Sequence, residues 1–279
     1  MLSKTVTILS CESIDKYHNW SLGRGKSLHT AKAYRSDLMV FLKALDTQTL
    51  QMEHFEDRAM YWLNQTRREA APKTTNRRLT SLRGFAKWAG YPNALHDYIP
   101  PTPGKSVPHP LPEGIDGVVA MLEQAKSYQQ KALIALCGLA GLRIHEAISV
   151  TVQDFDITIR DRITLAIRGK GDKTRVIPIS NFAWGYIVYA YVLATSTPDN
   201  RVAPFPDRTA RSTVTRLAEK AQLSRAVSSH DLRATFATAA YNLSLDQRAV
   251  QELLGHANGS TTEIYIGVSE EKMRNAVEF

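Results

Sequence analysis

IPPTPGKSVPHPLP, residues 99–112, carries six prolines and one glycine. Proline fixes φ and has no amide hydrogen to donate, so this density excludes helix and strand alike. The stretch predicts an extended connection between two domains, 1–99 and 113–279, with 100–112 as the linker. Each flank is long enough to bury a core of its own.

Upstream the pattern is helical. Ser27-Leu28-His29-Thr30 precedes Ala31, Tyr34, Leu38, Phe41, Leu42 and Leu45, an apolar stripe at three-to-four spacing behind a capping serine. A second helix, about 57–70, points Ala59, Trp62 and Leu63 inward. A third follows Lys73-Thr74-Thr75-Asn76, with Leu79, Leu82, Phe85, Ala86 and Ala89 inward and Arg77, Arg78 and Arg83 on its other face. These elements predict a small helical bundle. Charge is uneven. Residues 1–100 hold 15 Lys/Arg against 9 Asp/Glu, whereas 113–279 hold 19 against 18, within a net charge of +8. The first domain therefore reads as a grip for a polyanion, the bland alternative being a solvated basic surface.

Downstream the elements are mixed. Helices are expected at 115–127, 130–139, 145–150, 182–194, 211–221, 230–242 and 247–254, with a short last one from Ser260. Ile163, Leu165 and Ile167 alternate before Gly169-Lys170-Gly171-Asp172-Lys173, and a second run covers 175–179, which together spell a β-hairpin. The fold class is mainly α with a small β-hairpin. No apolar run reaches a membrane span and no secretory signal is evident. Cys11 and Cys137 are too few for a disulfide framework or zinc site, and Cys137 lies in an apolar run that reads as core. A reduced, cytoplasmic chain is expected.

Four pieces of the second domain carry chemistry: Gly141-Leu142-Arg143-Ile144-His145-Glu146; Arg168-Gly169-Lys170-Gly171-Asp172-Lys173; His230-Asp231-Leu232-Arg233; and Leu254-Gly255-His256 followed by Tyr265. In this order they resemble the catalytic signature of the tyrosine recombinase (phage integrase) family. Residues 30–38, TAKAYRSDL, and 77–83, RRLTSLR, resemble that family's helical, SAM-like core-binding domain. The resemblance implies a mixed α/β catalytic domain, DNA cleavage and rejoining through Tyr265, and no cofactor or metal.

The residue types suit that chemistry. Transesterification at a phosphodiester builds negative charge on the nonbridging oxygens, and Arg143 and Arg233 are the forked cations to meet it. His230 shares a helix face with Arg233, and Ser228 or Ser229 is placed to cap that helix. Tyr265 is the expected nucleophile. Its phenol needs a proton acceptor or positive surroundings, which His230 would provide. His256 would donate to the scissile phosphate. Lys170 would protonate the departing 5′-hydroxyl, a role the family's usual sequence gives to it over Lys173, although spacing does not separate the two. Ser260-Thr261-Thr262-Glu263 is a capping box ahead of Tyr265. By resemblance, the tail from Gly267 to Phe279 packs on a neighbouring protomer. Glu146 has two readings, a brace for Arg143 or a plain surface carboxylate.

Expected DNA contacts are Lys26, Arg35, Lys73, Thr74, Arg77, Arg78, Arg83, Lys173 and Arg175. The implied partners are a double-stranded attachment or core site, the chain itself as a tetramer on DNA, and an accessory DNA-bending or directionality factor; no membrane is implied. Integration or excision of a phage or mobile element is the first reading of its role. Xer-like resolution of chromosome or plasmid dimers, and a catalytically inactive DNA-binding protein, are the alternatives. His145 departs from the serine or threonine of many relatives, and no extra amino-terminal domain for distant arm sites is seen.

Overall fold

The computed structural model describes residues 6–104, 109–159, 162–169, 174–255 and 276–277, and the chain divides into two compact units, Met1–Ser106 and Val107–Phe279. In the first unit, β1 (Ile8–Ser10) pairs antiparallel with β2 (Thr49–Gln51), Leu9 facing Leu50. Four helices follow the ribbon's strands: α1 (Cys11–Gly23), α2 (Leu28–Ala44), α3 (Phe55–Glu69) and α4 (Pro72–Ala89). Their starts and stops are local. Ser27 caps α2 by accepting from the Thr30 amide, Pro72 opens α4, and Gly90, in the left-handed region at φ 100°, ends it.

The core of this unit is aromatic. Tyr17, Phe41, Phe55 and Phe85 are fully buried beside Trp62, and Tyr17 meets Phe85 edge-on at 5.6 Å. At Gly84 the helices α1 and α4 come so close that a Cβ would lie 2.4 Å from the Tyr17 hydroxyl. One polar tie crosses the core. The buried Asp37 of α2 accepts from the Ser81 hydroxyl at 2.7 Å and pairs with Arg77 at 2.9 Å.

The arginine face expected on α4 is corrected in part. Arg77 is half-exposed, but Arg78 lies over the Trp62 ring at 4.8 Å and donates to the Thr66 hydroxyl at 2.8 Å. Arg83 folds back and donates to the carbonyls of Leu95, His96 and Tyr98, its best bond being 2.7 Å to Leu95. Leu95 is left-handed, at φ 63°. That conformation costs a non-glycine residue about 1–2 kcal/mol and needs bonds to hold it. The Leu95 amide also donates to Glu56 at 2.6 Å. Arg83 therefore staples the chain that leaves α4.

In the second unit, α5 (Gly114–Gln124), α6 (Tyr128–Gly138) and α7 (Ile144–Ala147) precede a three-stranded antiparallel sheet of β3 (Phe155–Asp156), β4 (Thr164–Arg168) and β5 (Thr174–Pro178). Helices α8 (Asn181–Ala194), α9 (Asp207–Lys220), α10 (Ser229–Ser244) and α11 (Gln247–Leu254) complete it. Every residue of α6 from Ala132 to Gly138 is buried, so it is the axis of the core. Cys137 sits there, its thiol pushed up to about 12 by burial. Ala276 and Val277, the described part of the tail expected on a neighbouring protomer, are buried in the core of their own chain. Two apolar side chains are removed from water there.

The described ends of the proline-rich stretch are anchored rather than free. Pro101 accepts from Asn76 of α4, whereas His109 and Pro110 accept from Arg225 and the Leu111 amide donates to Thr235 of α10. Among the described residues no helix is long and apolar enough to cross a membrane.

Arg83→Ala removes a charged donor from three carbonyls, and charge-assisted bonds contribute about 1.5–3 kcal/mol. Thermal unfolding of the DNA-free chain should show a loss of about 2–3 kcal/mol. A side chain that served only DNA would leave that transition where it is.

Candidate active site

The apolar helix α6 ends at Gly138, and Gly141, at φ 70°, turns the chain toward Arg143. A Cβ on Gly141 would lie 2.3 Å from the Phe236 ring, so only glycine fits this turn. Arg143 caps α7, whose first turn carries Glu146. Glu146 is buried, its side chain 2% exposed, and reaches back to accept from the Arg143 amide at 2.7 Å and its guanidinium at 3.1 Å.

Two further arginines converge on the same carboxylate. Arg175, opposite Ile167 in the β4–β5 ladder, forms two parallel bonds to Glu146 at 2.9 and 3.0 Å. Arg233, on α10, stands 3.7 Å from it. Arg233 is itself buried and donates to the Gly141 carbonyl at 2.6 Å and the Leu254 carbonyl at 2.5 Å. Arg175 donates its Nε to the adjacent Leu253 carbonyl at 3.2 Å. Past that last turn of α11 comes Gly255, left-handed at φ 63°, where a Cβ would meet the Arg175 δ-carbon at 2.8 Å.

Three guanidiniums around one carboxylate leave two positive charges in excess. Burial opposes ionisation of Glu146, but the bonds from Arg175 and the Arg143 amide, with both guanidinium charges, hold it at about 2. Burial, then the charge of Arg143, brings Arg233 down to about 10, with Glu146 opposing the fall. Of the three, Arg143 keeps the most access, its side chain 32% exposed against 16% for Arg175 and 8% for Arg233. This is a fixed cationic seat with one open fork, suited to an anion that arrives from solvent.

His230 lies exposed in the first turn of α10, one turn before Arg233. Ser228, rather than Ser229, caps that helix, in a reciprocal box with Asp231. Against burial, the Ser228 bonds and Arg225 hold the Asp231 carboxyl below its ordinary value. The structure thus brings Arg143 and Arg233 together and sets His230 on the helix that carries Arg233. Lys170, Lys173, His256 and Tyr265 lie outside the described residues, as does the capping box at Ser260.

The other expected contacts sort by partner. Lys26 is exposed with its ammonium 5.3 Å from the Tyr34 ring centre, Lys73 is exposed, and Thr74 is half-buried on α4. Arg35 pairs with Asp15 at 2.6 Å. Arg175, expected on DNA, is corrected: its guanidinium is turned inward onto Glu146 and Leu253. Glu146 is the brace, not a surface carboxylate. The signal was present in the sequence, since a glutamate three residues after Arg143 on a helix start faces back to it. Nothing local in the sequence assigns Arg175 to the same carboxylate.

Residues 114–272 match the family model described as phage integrase family, and residues 14–90 match phage integrase, N-terminal SAM-like domain. The tyrosine recombinase XerA of Thermococcus onnurineus is 32% identical, over 96% of this chain and 94% of that protein. The tyrosine recombinase XerC of Listeria monocytogenes is 29% identical, over 90% of this chain and 91% of that one. Among solved structures, the XerH site-specific recombinase bound to palindromic difH substrate, a post-cleavage complex, has the same fold. It superimposes with a TM-score of 0.68 at 21% identity, covering 96% of this chain and 80% of that one.

Glu146→Gln leaves three buried or half-buried guanidiniums without their counter-charge, and breaking such a set costs about 3–5 kcal/mol. The folded carboxyl, at about 2, lies below its ordinary value of 4.5, so its contribution is complete above that ordinary value. It is lost as pH falls from there through the folded value. Thermal unfolding of both proteins across this acid range should therefore show the gap closing as pH drops. A gap constant over that range would mean that the charge on Glu146 contributes nothing.

Proposed function

The chain belongs to the phage integrase family and is a site-specific DNA recombinase, and we propose that it works by attack of the Tyr265 phenol oxygen on the scissile phosphorus. The Tyr265 O–P bond forms as the P–O5′ bond breaks, leaving a 3′-phosphotyrosyl link and a free 5′-hydroxyl. One phosphoester replaces another, so the bond energy is kept for the reverse transfer, in which a 5′-hydroxyl of the partner strand displaces the tyrosine.

The observation that carries this reading is the seat formed by Arg143 and Arg233 against Glu146. It supplies positive charge fixed in advance where the nonbridging oxygens become more negative. Arg143, the most open of the three, takes one oxygen, and Arg233 supports the second from the helix that also presents His230. His230 accepts the phenolic proton or holds the field that weakens it. His256 donates to the phosphate and Lys170 delivers the proton to O5′.

The ligand is a duplex core site, gripped by the basic amino-terminal unit through Lys26, Lys73 and Arg77. Four protomers would join two such sites. For biological role, we propose integration or excision of a phage or mobile element, which His145, in place of the usual serine or threonine, favours. Resolution of chromosome or plasmid dimers is the second reading, favoured by likeness to XerA and XerC over nine-tenths or more of this chain.

The site and the nucleophile can be found in one experiment. The full chain is incubated with a library of randomised duplexes nicked to prevent religation, in the presence of EDTA, and DNA that stays with denatured protein is sequenced. A recurring sequence joined covalently by wild type, and by Tyr265→Phe not at all, is the expected result. An adduct that persists in Tyr265→Phe assigns the attack to another residue, and sites lying at element boundaries or at a chromosomal locus separate the two roles.

A further inference from the structure

Arg175 is the described side chain most committed to the site without a place in the chemistry above. It stands on β5, the second strand of the hairpin, and all three of its nitrogens are bonded: two to Glu146 and one to the Leu253 carbonyl. It therefore connects three pieces of chain that are distant in sequence, namely the sheet, the start of α7 and the end of α11. The neighbouring carbonyl, Leu254, is held by Arg233, so successive carbonyls of one helix end are gripped by two guanidiniums that also face one carboxylate.

We propose that Arg175 is a positioning residue for transesterification: it fixes the plane of the Glu146 carboxylate and the last turn of α11, and so sets Arg143 and Arg233 at the spacing the phosphate requires. The reason lies in geometry. A carboxylate held by one partner rotates about its last torsion, whereas the paired bonds from Arg175 occupy both oxygens and fix that plane. Oε1 is then directed at the Arg143 guanidinium, 3.1 Å away, and Oε2 at the Arg143 amide and at Arg233. Lysine at this position keeps the charge but has neither the fork nor a donor placed for Leu253. Gly255 belongs to the same device, since only a residue without Cβ leaves room for the Arg175 stem at the end of α11.

This inference rests on the recombinase reading and is tested with the duplex that wild type selects. For wild type and Arg175→Lys, the equilibrium affinity for that duplex and the single-turnover rate of adduct formation at saturating protein are measured. Binding should stay within about threefold of wild type. The rate should fall about 100-fold, the cost typical of a misplacement of about 1 Å at a reacting centre. A rate equal to that of wild type would show that charge alone matters and overturn the proposal. A loss of affinity that accounts for the whole loss of rate would make Arg175 a DNA contact and overturn it too.

Should Arg175→Lys fail to fold, Gly255→Ala tests the same device with every charge retained, because its methyl group displaces the Arg175 stem. The same separation of rate from binding is expected, and a wild-type rate would count against the proposal. If wild type itself forms no adduct, the recombinase reading fails. If wild type reacts and the variants match it, only the role of Arg175 falls.

Discussion

The second unit is organised around one buried carboxylate. A lone ionised glutamate inside a protein is strongly disfavoured, and three arginines from three distant segments are the compensation. The two deeper arginines are in turn compensated by Glu146 and by the carbonyls of Gly141 and Leu254 for Arg233 and of Leu253 for Arg175, whereas Arg143 keeps access to solvent. The buried members of the cluster thus support one another, the carboxylate compensating Arg175 and Arg233 and being compensated by them. The cluster's net positive charge is the residue of that compensation. It leaves an uncompensated cationic face at Arg143 rather than a closed internal ion pair.

Packing explains why the cluster forms where it does. Helix α6 is buried on all sides from Ala132 to Gly138 in the middle of the unit, and beyond its end polar chain resumes at Arg143. Gly141 turns there against Phe236 of α10, which brings Arg143 beside the helix that carries Arg233. The sheet approaches from the other side through Arg175. A close-packed core holds these approaches within narrow limits. For that reason two glycines with left-handed backbones sit among the arginines: a single extra methyl at either would have to displace a ring or a guanidinium.

Much of this is visible in the sequence, and the reason for the rest is physical. Helices with a capping serine and a dense apolar stripe, such as α2 behind Ser27, are legible because both signals are local. Helix α1 is not, since its buried positions include Ser13 and Ser21 beside Ile14 and Tyr17, and serine carries no hydrophobic periodicity. The β1–β2 ribbon and the two-residue β3 are too short to alternate detectably. Arg143, Arg233 and His230 stand out in the sequence through the resemblance of their motifs to a family signature, and the structure brings Arg143 and Arg233 to one carboxylate. The fate of Arg78, Arg83 and Arg175 is not legible, because a long flexible side chain goes wherever tertiary structure offers carbonyls, a ring or a carboxylate, and helical periodicity says only which way its Cβ points. The count of basic residues in the first unit therefore overstates the cationic surface it offers, since part of that charge holds α3, α4 and the turn at Leu95 together.

The choice of arginine over lysine within the cluster follows from the same burial. Arg233 is brought from 12.5 down to about 10 and so remains fully charged at neutral pH. Lysine begins lower, near 10.4, and burial disfavours its charged form in the same direction. An ammonium also lacks the planar fork by which Arg233 reaches the Gly141 and Leu254 carbonyls at once. A buried cation that must be present in every molecule, and that must also hold two chain segments by directed bonds, has arginine as its only solution among the natural side chains. The same requirement does not apply at the solvent-facing Lys26 or Lys73, where water supports the ammonium.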